Sequence, residues 1–286
     1  MFNLPNLILT SIFLLLAAIN GLFLILKKSN LLTRYLRFIW VLFLILLIAD
    51  NVSFRLSTWF WGFLCFFILR EFFSVIHFRM EDRFGIIGAY LSVPFMMHYI
   101  HTDWYGMFII SIPVYSFLVV PFLISLGGKN FKGSISSIGI IDFGLFLFVY
   151  CIGHIVYLSF FNIWMAAVLI MNIVICDLIS LFAAKRRFSR IGMLLFRMLF
   201  PIHATIGITI LFSQLCGLSM IHAVVIGALI PAIVYIGNFT IDYLEQDLGI
   251  MKENLKPGRG LMMGHVKSFL YAAPIIFHYY RYFILI

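Results

Sequence analysis

Apolar residues fall along this chain in long runs, at about 4–26, 38–49, 57–76, 84–100, 107–126, 134–160, 163–182, 202–216, 219–241 and 268–286. Within the runs polarity does not alternate from one residue to the next, as it would in strands of a membrane β-barrel. The lengths suit helices, because in hydrocarbon each backbone N–H and C=O must be satisfied inside its own segment and about 20 residues cross a bilayer. The pattern predicts an all-α, polytopic integral membrane protein of about 9–10 transmembrane helices. Its shortest runs would pair as a tilted or re-entrant hairpin. One membrane domain is expected over residues 1–286, divided into N-terminal helices within 1–130 and a C-terminal half at 131–286. The first run has no basic residue before it and a positive flank behind it, so it reads as a retained span rather than a cleaved signal.

Composition strengthens this picture. Hydrophobic residues make up 64% of the chain and charged residues 11%, against about 45–50% and about 25% in soluble domains. The net charge of +9 would suggest nucleic acid in a soluble protein, but here its placement explains it. Lys27, Lys28, Arg34 and Arg37 follow the first run, Arg79 and Arg83 the third, and Lys129 and Lys132 the fifth. Lys185, Arg186, Arg187, Arg190 and Arg197 follow the seventh, and Lys252, Lys256, Arg259 and Lys267 the ninth. The even connections hold only Arg55. Positive residues stay on the cytoplasmic side, which puts the odd connections in the cytoplasm and both termini outside. No nucleic-acid partner is expected.

Few residues in the runs carry chemistry. Cys65, Cys151, Cys176 and Cys216 stand at unrelated spacings within apolar stretches, as buried structural cysteines would. Asp177 lies deep in the seventh run, and a charge inside a span is a functional candidate by default. Its alternative role is an interfacial pairing with Lys185 or Arg186. The Lys185, Arg186, Arg187 cluster serves as a topology signal and also suits an anionic lipid headgroup. Arg70 and Glu71 are adjacent and cannot face each other on one helix, so each is expected to pair elsewhere or to sit at the interface.

The C-terminal fifty residues carry a more specific pattern. They read Gly237-Asn238, then Asp242, Glu245, Gln246 and Asp247, then Lys252-Glu253, Pro257-Gly258-Arg259-Gly260 and Gly264-His265-Val266-Lys267-Ser268. Upstream stand Leu69-Arg70-Glu71-Phe72, Tyr150-Cys151-Ile152-Gly153-His154, Cys176-Asp177 and Pro201 through Gly207. In order, these resemble the signature of the phosphatidate cytidylyltransferases, the CDP-diacylglycerol synthases. Their C-terminal pattern runs G-D, S-x-x-K-R, K-D, P-G-H-G-G and D-R-x-D-S. The likeness covers roughly residues 60–286 and implies that family's fold, with a pocket on the cytoplasmic face of the C-terminal half.

The same resemblance implies that the aspartates of G-D and D-R-x-D would hold the divalent cations that neutralise the nucleotide phosphates, since Mg²⁺ takes oxygen ligands and bridges phosphates. At those positions this chain has Asn238, Gly264 and Lys267, so three negative charges are removed and one positive charge is added. The candidate catalytic or vestigial positions are therefore Asp177, Asn238, Asp242, Asp247 and Glu253. The candidate lipid-phosphate contacts are Lys185, Arg186, Arg187, Arg259, His265 and Lys267. The reading that follows is a catalytically silent relative that binds a phosphatidate-like membrane phospholipid, with no cofactor. Two alternatives are an active CTP:phosphatidate cytidylyltransferase, with Mg²⁺ on rearranged acids, and a subunit that acts through a homodimer or another membrane protein.

Overall fold

The computed structural model describes residues 4–27, 30–128, 131–183, 190–249 and 261–285, and among these there is no strand. The helices are α1 (Leu4–Ile25), α2 (Leu31–Asn51), α3 (Phe54–Val75), α4 (Arg83–His101), α5 (Tyr105–Ile110), α6 (Phe117–Ser125), α7 (Ser134–Leu145), α8 (Ile152–Phe161), α9 (Ile163–Ala183), α10 (Arg190–Leu211), α11 (Met220–Asp247) and α12 (Leu261–Tyr280). A π-helical turn at Ser111–Ser116 joins α5 to α6, and another at Phe146–Cys151 joins α7 to α8. The resulting rods follow the apolar runs in order. Eight are long and apolar enough to cross a membrane: α1, α2, α3, α5–α6, α7–α8, α9, α10 and α11. The protein is thus all-α with multiple candidate spans, as the sequence pattern predicts.

Boundaries shift where charged residues continue a helix. The second run was expected at 38–49, but α2 begins at Leu31 and carries Arg34 and Arg37 in its first turns. Its start is fixed by a capping box: the Asn30 side chain accepts from the Thr33 N–H at 3.0 Å, and the Thr33 hydroxyl accepts from the Asn30 N–H at 3.0 Å. The eighth run was expected at 202–216, whereas α10 spans Arg190–Leu211 with Pro201 inside it. Long basic side chains can reach out from a helix end while their stems stay apolar, so they do not terminate it. The last helix starts at Leu261 rather than 268, and His265 and Lys267 are helical.

By contact the chain divides into two units. The first comprises Met1–Ser57, Leu158–Gly237 and His278–Ile286, and the second Thr58–Tyr157 and Asn238–Phe277. In the first, α1 packs on α2, α2 on α9 and α9 on α10. A polar thread ties its helices together: Asn172 donates to the Thr209 hydroxyl at 2.8 Å, Thr209 donates to the Thr205 carbonyl at 2.7 Å, and the Thr205 hydroxyl lies 2.7 Å from the Gly227 carbonyl. Such interhelical bonds act as polar glue, and small residues allow the close approach. A Cβ at Gly227 would stand 2.6 Å from Ile206 Cα, so α10 and α11 meet backbone to backbone there.

In the second unit α4 packs against α6 and α7. Its core holds an aromatic cluster around buried His154, whose ring centroid lies 4.8 Å from Phe108, 4.6 Å from Tyr150 and 5.0 Å from Phe277. The connection before α4 is clamped by an ion pair. Arg79 contacts both carboxylate oxygens of the fully buried Asp82, at 2.5 and 3.2 Å, and Ser137 donates to Asp82 at 2.7 Å. Burial alone would raise the Asp82 carboxyl, but the hydrogen bonds from Arg79 and Ser137 and the guanidinium charge hold it below its ordinary value. Gly127 is required beside this clamp, because a Cβ there would stand 1.9 Å from the Glu81 carbonyl oxygen. All four cysteines are buried and free, as expected.

Candidate functional site

The motif residues of the C-terminal segment meet on two helices of the second unit. Asn238 and Asp242 lie one turn apart near the end of α11, so they share a face. His265, Lys267 and Ser268 stand in the first turns of α12. The two faces bond to each other. Lys267 Nζ forms an ion pair with Asp242 Oδ1, in which the lysine side chain is 14% exposed and the aspartate 49%. Ser268 donates to Asn238 Oδ1 at 3.0 Å. His265 is buried beside them in the sequence of α12.

The start of α12 is held from a third helix. Glu71, near the end of α3, accepts from the backbone N–H groups of Met262 and Met263 at 2.9 and 3.0 Å. The first N–H groups of a helix have no partner within it, and the helix dipole favours negative charge there. Glu71 supplies both. Sequence reasoning expected a partner for Glu71 but could not name it, because the bond joins positions 191 and 192 residues apart.

The electrostatic outcome is a closed account. Asp242 has taken a cation from its own chain, and the Asn238 amide oxygen has a hydroxyl. Glu71 spends its charge on a helix end. Where the family resemblance implies carboxylates gathered around divalent cations, this geometry has side chains that neutralise one another. Among the described residues no three of His, Cys, Asp and Glu come together as ligands for a metal ion.

The other sequence candidates divide into two groups. Asp177 belongs to the first unit, inside α9, and accepts from the Tyr35 hydroxyl of α2 at 2.6 Å. Tyr35 is itself buried, so the acid inside the span is held by a neutral donor. Asp247 is the exposed last residue of α11. Lys185, Arg186, Arg187, Glu253 and Arg259 lie outside the described residues.

Besides Glu81 and the clamped Asp82, the sequence reading passes over Asp142 and Asp50. Asp142 is buried in α7 and accepts from the Ser116 hydroxyl at 3.0 Å. It is the one acid within the run 134–160, a signal that was there to be read. Asp50, near the end of α2, was hidden by its place just past the run 38–49. In comparisons with protein families, with curated proteins and with solved structures, nothing matches this chain.

Proposed function

We propose that this is a multi-pass membrane protein of phosphatidate cytidylyltransferase ancestry that no longer transfers a nucleotide and instead holds an anionic, phosphatidate-like phospholipid at its cytoplasmic end. The observation that carries the first half is the ion pair between Lys267 and Asp242. A lysine paired with this carboxylate competes with a metal ion for it, and a lysine in place of a metal-binding acid opposes a cation by its charge. Asn238, bonded to Ser268, is a neutral and weaker donor than a carboxylate.

The lipid half of the reading rests on charge. Its carriers are Arg259, in the segment before α12, and Lys185, Arg186 and Arg187 in the connection after α9, since Lys267 is paired with Asp242 and His265 is buried. Basic residues at the membrane surface attract phosphate headgroups at about 1 kcal/mol each. With those connections cytoplasmic, the positive-inside bias puts both termini outside.

The test is lipid selection by the purified protein. Vesicles containing phosphatidate and phosphatidylcholine are offered, and the retained lipid is extracted and quantified. Enrichment of phosphatidate over its share in the vesicles is expected, without Mg²⁺-dependent release of pyrophosphate from CTP. Lipid retained in the proportions supplied would refute the binding half, and metal-dependent pyrophosphate release would refute the silent half.

A further inference from the structure

Within the first unit, one end holds the Tyr35–Asp177 pair. At the other end, the starts of α1 and α3, the end of α2, the α8–α9 turn and the residues after α10 line a cavity of about 440 Å³. That volume lies in the range of small-molecule sites. Its wall is aromatic, with Phe54, Phe160, Phe161 and Trp164. Phe54 and Phe160 have centroids 5.1 Å apart, and Trp164 stacks at 5.5 Å on Phe212, which lies outside the wall.

Among the described residues, one charged side chain lines this cavity, Asp50. Its Oδ2 is enclosed and has no hydrogen-bond partner among the described residues. Asn162, also in the wall, is used locally, donating to the Leu215 carbonyl at 3.0 Å and accepting from the Met165 N–H at 3.1 Å. An enclosed carboxylate oxygen without a donor is costly unless a positive charge meets it. A bare metal ion would require several more oxygen ligands, and an aromatic wall does not offer them. Aromatic faces do attract organic cations, most strongly where water is excluded. The guanidinium of Arg281 already lies 5.6 Å from the centre of the Phe161 ring, so a cation rests on one member of this wall.

We propose that this cavity binds an organic ammonium group, presented by a zwitterionic lipid headgroup or by a free amine, with Asp50 as counter-charge and the four rings as its cage. The site is independent of the anionic-lipid reading, since it uses different residues and the opposite ligand charge.

The experiment uses the full-length protein in a non-ionic detergent. Choline chloride is titrated against sodium chloride at equal ionic strength, and tryptophan fluorescence is followed, because Trp164 is part of the wall. In parallel, the protein is offered mixed vesicles of phosphatidylethanolamine, phosphatidylcholine and phosphatidylglycerol, and the retained lipid is extracted. A saturable response to choline supports the proposal and identifies a free amine as ligand. Retention of an amine-bearing lipid without a choline response supports it and identifies a lipid headgroup. Asp50→Asn is expected to weaken the observed binding by about tenfold or more, and Phe160→Leu, which keeps the wall apolar, by several-fold. Phe160→Leu decides alone if Asp50→Asn fails to fold. Failure of both arms overturns the proposal, as does undiminished binding by folded variants.

Discussion

Asp242 and Asp50 are both acids near helix ends, and their surroundings have opposite character. Asp242 stands half-exposed and is met by Lys267, with Asn238 and Ser268 bonded one turn away. Asp50 lines open space walled by aromatic rings, and its Oδ2 meets no donor among the described residues. At the first, the acid is met by a lysine of its own chain. A site with an unanswered charge and room beside it can still take a ligand. The difference teaches that motif position alone does not identify a working site; the state of each charge does.

Four substitutions sharpen or break this contrast. The largest effect on stability is expected at Glu71. Glu71→Ala leaves the N–H groups of Met262 and Met263 without their acceptor, which costs about 1–3 kcal/mol in denaturation measurements, and Glu71→Gln restores part of it. An unchanged midpoint for Glu71→Ala would mean that α12 does not depend on this carboxylate, and the account of a self-satisfied site would fail at its base.

A smaller loss is expected at Asp82, and it should depend on pH. The folded carboxyl is held below its ordinary value, so folding favours the charged form. That stabilisation is complete above the unfolded value near about 3.9 and disappears as the pH falls through the lower folded value. Asp82→Asn should therefore melt earlier at neutral pH and lose less than the wild type on acidification. Parallel acid profiles of the two proteins would remove Asp82 from the account.

Lys267→Ala comes next. The pair is partly exposed, so its loss should cost only about 0.5–1 kcal/mol, and a double-mutant cycle with Asp242→Ala should give a coupling of that size. No measurable coupling would mean that Asp242 is free to serve as a ligand. Asp50→Asn should change stability least, by within about 0.5 kcal/mol, because it breaks no hydrogen bond made by Oδ2. A large destabilisation there would reveal a structural role and erase the contrast.

The helical plan was legible because each apolar run had to satisfy its own backbone in lipid, and the runs and rods agree in order. The ends were less legible. Arg34, Arg37 and Arg197 look like loop residues in the sequence, yet they extend α2 and α10, since flexible basic chains tolerate a helix end. For the site, the sequence indicated which residues to watch, and Asn238, Asp242 and Lys267 do come together. Its pairing could not be read, because Lys267 meets Asp242 across 25 positions and Glu71 meets α12 across nearly two hundred. Asp50 escaped notice for another reason: a carboxylate becomes informative only once its neighbours, or their absence, are known.

Formation of CDP-diacylglycerol from radiolabelled CTP and phosphatidate, with Mg²⁺ and purified protein, bears most directly on the claim that Asp242 is committed to Lys267. Product at the level of a protein-free control is the predicted result. Product that requires Mg²⁺ and falls when Asp242 is changed to Asn would contradict it, because Asp242 would then be holding the metal rather than Lys267.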